Sequence, residues 1–238
     1  MNIALIIAGG SGNRMGQDIP KQFMHIDGCP IIIHTMQCFQ RHAEIDAIAV
    51  VCLKGWETVV QSYANQFGID KLKWIFPGGG SGMESIHNGI YGLKDEGCDD
   101  EDLVLIHDSV RPLLSADIIS NNIAICKANG YAITGIQCRE AILESENGFS
   151  STTSIPRDML IRTQTPQTFR LKNIIAAHEE AKEKGITNSV ASCTLLAELG
   201  GREMHIVPGS EKNIKVTTVE DIEILKALMH TTKESWLK

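Results

Sequence analysis

The chain has 238 residues, of which 43% are apolar and 21% charged. That composition supplies a sizeable core and excludes a wholly disordered chain, and the length allows one large domain or two small ones. With 22 Lys and Arg against 29 Asp and Glu the net charge is −7, which excludes a general polyanion binder and argues against nucleic acid or an acidic membrane as partner.

The opening MNIALIIAGG runs straight into a glycine loop and lacks a basic flank, so Asn2–Ile7 reads as a first strand and not as a leader. No apolar run approaches the ~18 residues of a membrane span. Pro30–Gln40 carries apolar residues at helical spacing, Ala47–Leu53 is a buried-strand run, and Trp56–Phe67 is again helical. Trp74–Phe76 reads as a strand, Met83–Leu93 as a helix, Leu103–His107 as a strand, Ala116–Ala128 as a helix and Tyr131–Gln137 as a strand. Short strands separated by helices of 10–15 residues predict βαβ units, a mostly parallel sheet and helices on both faces.

The rhythm breaks after Gln137. Ala141–Glu146 and Phe149–Ile155 are strand-like and flank Asn147-Gly148, a hairpin signal, so 138–156 is expected to be an arm projecting from the body. Leu171–Lys184 and Ser189–Leu199 return to helix, Met204–Val207 to strand, and Thr218–Met229 to a last helix capped by Thr217 or Thr218 with acid in its first turn. No repeat or linker divides the chain, which reads as one domain over 1–238. The acidic run Asp95–Asp102 is expected to be a solvated loop. The seven cysteines form no C-x-x-C and lie in apolar segments, the pattern of buried reduced thiols in a cytoplasmic protein.

Two glycine loops follow strands. The first, Ala8-Gly9-Gly10-Ser11-Gly12-Asn13-Arg14-Met15-Gly16, is neither a Walker A loop nor a dinucleotide fingerprint, since Met15 stands where a third glycine belongs. It has Arg14 within it and Lys21 just beyond, behind a stiffening Pro20, and two cations beside a glycine loop suit a triphosphate. The second, Gly78-Gly79-Gly80-Ser81-Gly82, opens the helix that carries Ser85. Asp108 falls at the carboxyl end of a strand, where it would hold a metal, accept from hydroxyl groups, or cap the next helix. His107 ends an apolar strand and reads as structural. Thr165 and Gln167 line a site or form a rigid turn about Pro166, while Trp56 and Trp74 read as core.

The run LIIAGGSGNRMG…PKQF, PGGG…ES, HDSVRP, QTPQTF and NIKVTTVED is similar, from Ile3 to about Leu228, to the cytidylyltransferase family. That family includes 2-C-methyl-D-erythritol 4-phosphate and ribitol-5-phosphate cytidylyltransferases. The resemblance implies a Rossmann-like nucleotidyltransferase fold with a protruding, dimerising β-arm. It implies Mg²⁺ and transfer of CMP from CTP to an alditol phosphate, giving a CDP-alditol and pyrophosphate. By position it places Arg14, Lys21 and Lys215 on the phosphates as catalytic cations. Ala8, Gly9, Gly10, Gly79 and Gly80 become backbone contacts to the nucleotide, and Ser85 a base-side contact. Asp108, Arg139 and Thr187 fall around the acceptor, with Arg139 reaching a partner subunit's site; the metal role of Asp108 rests on its place at the strand end alone. Gly82 departs from the family's usual arginine. Ala8-Gly9-Gly10 and His107–Pro112 stand nearer the ribitol branch. The competing readings are another sugar-phosphate nucleotidyltransferase and a CTP-binding module without turnover.

Overall fold

The computed structural model describes residues 1–10 and 19–231. In chain order the elements are β1 (Asn2–Ala8), β2 (His25–Ile26), β3 (Cys29–Pro30), α1 (Ile31–Gln40), β4 (Ala47–Cys52), α2 (Glu57–Gln66), β5 (Leu72–Pro77), α3 (Gly82–Asp95) and β6 (Leu103–Asp108). They continue with α4 (Ala116–Asn129), β7 (Tyr131–Gln137), β8 (Ile142–Glu144), β9 (Thr153–Ile155), β10 (Ile161–Arg170), α5 (Leu171–Glu183), α6 (Ser192–Leu199), β11 (His205–Pro208) and α7 (Val219–His230). Seven strands form one sheet in the order β11-β7-β10-β6-β1-β4-β5. Strands β5, β4, β1 and β6 are parallel, as are β7 and β11, while β10 runs antiparallel to both its neighbours.

β4 reads Ala-Ile-Ala-Val-Val-Cys and buries every residue, as a parallel strand covered on both faces must. Side chains alternate between the faces. Ala4, Ile6, Ile48 and Val50 pack with Ile33 of α1, Val60 of α2 and Ile119 of α4. Ile3, Leu5, Ala49 and Val51 pack with Ile90 of α3, Ile174 of α5 and Leu196 of α6. Helices therefore cover both faces, as the alternation predicts. A smaller cluster joins Leu225 of α7 and Val216 to Ile26, Ile31 and Val110. It draws the segment before α7 across the carboxyl end of β6, where Val216 N–H donates to the Val110 carbonyl at 3.0 Å. Thr218 caps α7 as expected, accepting from Asp221 N–H while the Asp221 carboxylate accepts from Thr218 N–H.

Three expectations are corrected. The stretch about Pro166 is not a turn but part of β10, inserted between β6 and β7 with a register shift between Thr163 and Gln167. Proline normally argues against an interior strand, and the irregularity accommodates it. The acidic run is not uniformly solvated: Asp102 is only 5% exposed, and Asp100 and Asp102 carbonyls receive Lys172 and Leu171 N–H groups. In the arm, β8 and β9 pair Ile142 with Ile155 and Glu144 with Thr153, so the strands are shorter than predicted. Asn147-Gly148 lies inside a longer loop, where the Asn147 side-chain carbonyl accepts from Phe149 and Ser150 N–H groups. The cysteines are free thiols, six buried and Cys38 half-buried. Among the described residues no helix is long and apolar enough to cross a membrane.

Candidate active site

A cavity of about 560 Å³ opens at the carboxyl edge of β1, β5 and β6. Its lining includes Ala8, Gly9, Gly10, Lys21, Gln22, Gly79, Gly80, Ser85, Asp108 and Lys215. Most of the residues singled out in the sequence thus meet in one place. Arg14 lies outside the described residues. Arg139 and Thr187 do not line this cavity. Arg139 is exposed at the root of the arm, its carbonyl accepting from Arg157 at 2.9 Å, and Thr187 borders a separate groove between α3 and α5.

The two glycine loops touch backbone to backbone. A Cβ on Gly9 would stand 2.8 Å from Ser85 Oγ, and one on Gly78 would stand 2.9 Å from the Gly9 Cα, so neither position admits a side chain. Ser85 is buried, accepts from Gly79 N–H at 3.0 Å and donates to the Ser81 carbonyl at 2.9 Å. Its hydroxyl fastens the second loop at the wall of the cavity. Gly80 N–H donates to Glu84 at 2.7 Å, a second fastening within the same loop. Gly82 is the first residue of α3, and a Cβ there meets nothing within 4 Å.

Another wall of the cavity is built on Asp108, the last residue of β6. Lys215 Nζ stands 3.0 Å from its Oδ1 and Arg111 Nε stands 2.8 Å from its Oδ2. Arg111 also donates to the Asn213 carbonyl at 2.7 Å, tying the Lys215 segment to the β6 end. Burial would raise the Asp108 pKa, but Lys215 and Arg111 outweigh it and hold the carboxyl at about 2. Asp108 is therefore a fixed anion between two cations and not a proton carrier. It does not cap α4, whose N-cap residue is Ser115. Arg111 carries no role in the sequence reading, although it stands within the HDSVRP motif; its spacing three residues after Asp108 was the available signal.

Behind this pair Asp108 N–H donates to Thr165 Oγ1 at 3.1 Å, and Thr165 Oγ1 lies 3.0 Å from His107 Nδ1. The other ring nitrogen, Nε2, lies 3.2 Å from the Arg111 carbonyl. That set of partners fits a neutral imidazole protonated on Nε2. Burial pushes His107 down to about 4, and its ring packs edge-on against Phe39, so it is structural as expected. Thr165 supports the site from β10.

Lys21 opens a short 3₁₀ turn, Lys21–Phe23, and donates to the Val216 carbonyl at 3.0 Å, beside Lys215. Arg111 and Lys215 flank the Asp108 carboxylate and Lys21 stands on the Val216 carbonyl next to Lys215, so three cations gather here on a chain that is anionic overall. Such a locally positive pocket flanked by two glycine loops can hold a polyphosphate and bring a second anion to it.

The family profile described as IspD: 2-C-methyl-D-erythritol 4-phosphate cytidylyltransferase matches residues 2–231. A ribitol-5-phosphate cytidylyltransferase of Lacticaseibacillus paracasei is 38% identical over 231 residues, covering 96% of this chain and 98% of that one. A 2-C-methyl-D-erythritol 4-phosphate cytidylyltransferase of Clostridium botulinum is 35% identical over 222 residues, covering 93% and 94%. The crystal structure of 4-diphosphocytidyl-2C-methyl-D-erythritol synthase from Anaerococcus prevotii superposes with a TM-score of 0.80 at 25% identity, covering 97% of this chain and 99% of that one.

Proposed function

The chain belongs to the 2-C-methyl-D-erythritol 4-phosphate cytidylyltransferase family, and we propose that it transfers CMP from CTP to an alditol phosphate of the ribitol 5-phosphate type, releasing pyrophosphate. The observation that carries this reading is the meeting of Lys21, Lys215, Asp108 and both glycine loops in one cavity. The ribitol type is favoured by the first relatives, named ribitol-5-phosphate cytidylyltransferases at 37–38% identity, against 35% for those named for methylerythritol phosphate.

The acceptor phosphate is already an anionic nucleophile near neutral pH, so no base is needed to make one. The task is to hold two anions in line and stabilise charge as pyrophosphate leaves, which is positioning plus electrostatics. Lys21, on the Val216 carbonyl, and Lys215, on Asp108, both line the cavity and supply its positive charge. Asp108 holds Lys215 in place and accepts from the polyol hydroxyls of the acceptor. Arg14 joins the cations on the triphosphate.

Mg²⁺ fits this donor set as an ion carried on the nucleotide. Asp108 is ionised, and each carboxylate oxygen has lone-pair capacity beyond its one cationic partner. A magnesium site needs one or two carboxylates plus substrate phosphates, and among the described residues no cluster of three or more His, Cys, Asp or Glu forms a protein cage. Bound there, Mg²⁺ would neutralise phosphate oxygens of the triphosphate and the departing pyrophosphate.

The arm completes the proposal. Phe149 is 97% exposed and Met159 80% exposed, and a second copy of the chain is the partner that would cover them. Arg139, at the root of the arm, would then reach the acceptor in the partner's cavity and Thr187 would border it. Free thiols throughout fit a reducing cytoplasmic setting.

Pyrophosphate release with CTP, GTP, UTP or dTTP against ribitol 5-phosphate, methylerythritol phosphate and glycerol phosphate tests the reading. Release is expected with CTP and fastest with ribitol 5-phosphate. Preference for another nucleotide supports the sugar-phosphate branch, and CTP binding without release from any acceptor supports a module without turnover.

A further inference from the structure

We propose that Gln22 is the positioning residue that holds residues 8–10, the start of the first glycine loop, in a phosphate-binding shape and registers them to Lys21. Three consecutive side chains of one 3₁₀ turn point three ways. Lys21 reaches the Val216 carbonyl. Phe23 stacks on Trp56 at 4.4 Å between ring centroids, anchoring the turn in the core. Gln22, only 2% exposed, sends its side-chain nitrogen to the Ala8 carbonyl at 2.8 Å and to the Gly10 carbonyl at 2.9 Å.

A carboxamide nitrogen has two hydrogens, and here both go to carbonyls on either side of Gly9. Two consequences follow. The carbonyl oxygens are drawn toward Gln22, where their partial negative charge does not oppose a triphosphate. In a planar trans peptide the carbonyl of one residue and the N–H of the next point in opposite directions, so fixing the Ala8 carbonyl turns Gly9 N–H away from Gln22 and toward the phosphate. A carboxylate would face two carbonyls with no hydrogen to donate, and an apolar side chain would leave them without this partner. Gln22 makes no contact with Asp108, Arg111 or Lys215 among its hydrogen bonds, so its influence falls on the nucleotide and not on the acceptor.

The inference rests on CTP being the nucleotide. Full-length parent, Gln22→Met and Gln22→Asn are titrated with CTP and Mg²⁺ by calorimetry, and pyrophosphate release is followed with CTP and ribitol 5-phosphate varied in turn. Gln22→Met keeps the volume and removes both donors. It is expected to weaken CTP binding at least ~10-fold, the scale of two lost hydrogen bonds to backbone carbonyls, with the acceptor KM within about twofold. Combined with Lys21→Ala the two losses are expected to multiply incompletely, because both act on one turn. Gln22→Asn, whose shorter amide reaches one carbonyl, is expected to weaken CTP alone and by less. It carries the test by the same criterion should Gln22→Met not fold. Unchanged CTP affinity in a folded variant, or equal losses toward CTP and acceptor, overturns the positioning role. A parent that does not bind CTP overturns the functional reading and this inference with it.

Discussion

The two halves of the sheet are built on different physics. Strands β5, β4, β1 and β6 are parallel; β1, β4 and β6 are almost entirely apolar and buried on both faces, and the loops after β1, β5 and β6 shape the cavity. The other half, β10, β7 and β11, carries a buried polar layer instead. Thr168 Oγ1 lies 3.2 Å from Asn122 Oδ1, Asn122 donates to Thr134 at 2.9 Å, and the Gln167 side-chain carbonyl accepts from Cys193 N–H at 2.9 Å. Hydrophobic burial holds the half whose loops shape the cavity. Satisfied hydrogen bonds hold the half that braces Asp108 through Thr165 and projects the arm. The difference teaches that a polar, proline-bearing strand can be interior when its own buried side chains, here Gln164, Gln167 and Thr168, each find a partner.

The sharpest way to break this comparison is Ile48→Ala in β4. The side chain is fully buried, and its loss is expected to cost about 4 kcal/mol in urea unfolding; a cost below ~1 kcal/mol would deny that burial dominates this half. Lys21→Ala asks whether the chemistry resides at the edge of the apolar half. Turnover is expected to fall at least ~100-fold, about 3 kcal/mol of transition-state stabilisation, with folding retained, and a near-normal rate refutes the assignment.

Acid titration probes the seam between the halves. The folded pKa of Asp108 lies below its ordinary value, at about 2. The stability it contributes is therefore present above about pH 4 and lost as pH falls toward 2, up to about 2 kcal/mol. Asp108→Asn is expected to remove that slope from unfolding curves taken between pH 4 and 2. His107 is also lowered, to about 4 by burial, so its contribution is full above pH 6.5 and lost as pH falls from 6.5 to 4, a separate and earlier window.

Thr168→Val removes one hydroxyl from the polar layer at constant shape and is expected to cost about 1.5 kcal/mol, since Asn122 loses a donor. Stabilisation instead would mean that this layer does not need its hydrogen bonds. The smallest effect is expected from Gly82→Arg. Open space at the cavity's edge admits the side chain, and the added cation is expected to lower the KM for CTP a few-fold, about 1 kcal/mol, in steady-state assays.

How much was legible follows the same division. In the apolar half each strand was evident within a residue or two from its composition, since strands covered on both faces read as apolar runs. In the other half β10 was hidden, because Gln164, Thr165, Pro166 and Gln167 look like a turn until their partners Ser210, His107 on β6, Thr134 on β7 and Cys193 on α6 are known. At the site, Ala8, Gly9, Gly79, Lys21, Asp108 and Lys215 were legible from motif order. Gln22 was given no role, because it acts through backbone carbonyls that no residue letter reveals; Arg111 had a local signal in its spacing from Asp108, but its tie to Asn213 across 102 positions had none.

The sequence by itself determined the βαβ alternation, the capped last helix, the arm and the two glycine loops, for these depend on contacts within a few residues or on the period of apolar side chains. Only the tertiary structure decided that Lys21 meets Val216 across 195 positions and that Lys215 meets Asp108 across 107. It also decided that Ser85 fastens a loop, and that Arg139 and Thr187 stand apart from the cavity of their own chain. Such meetings follow from how the sheet orders its strands and where α7 draws the chain back, and strand order is set by the packing of the whole core, not by any local run of residues.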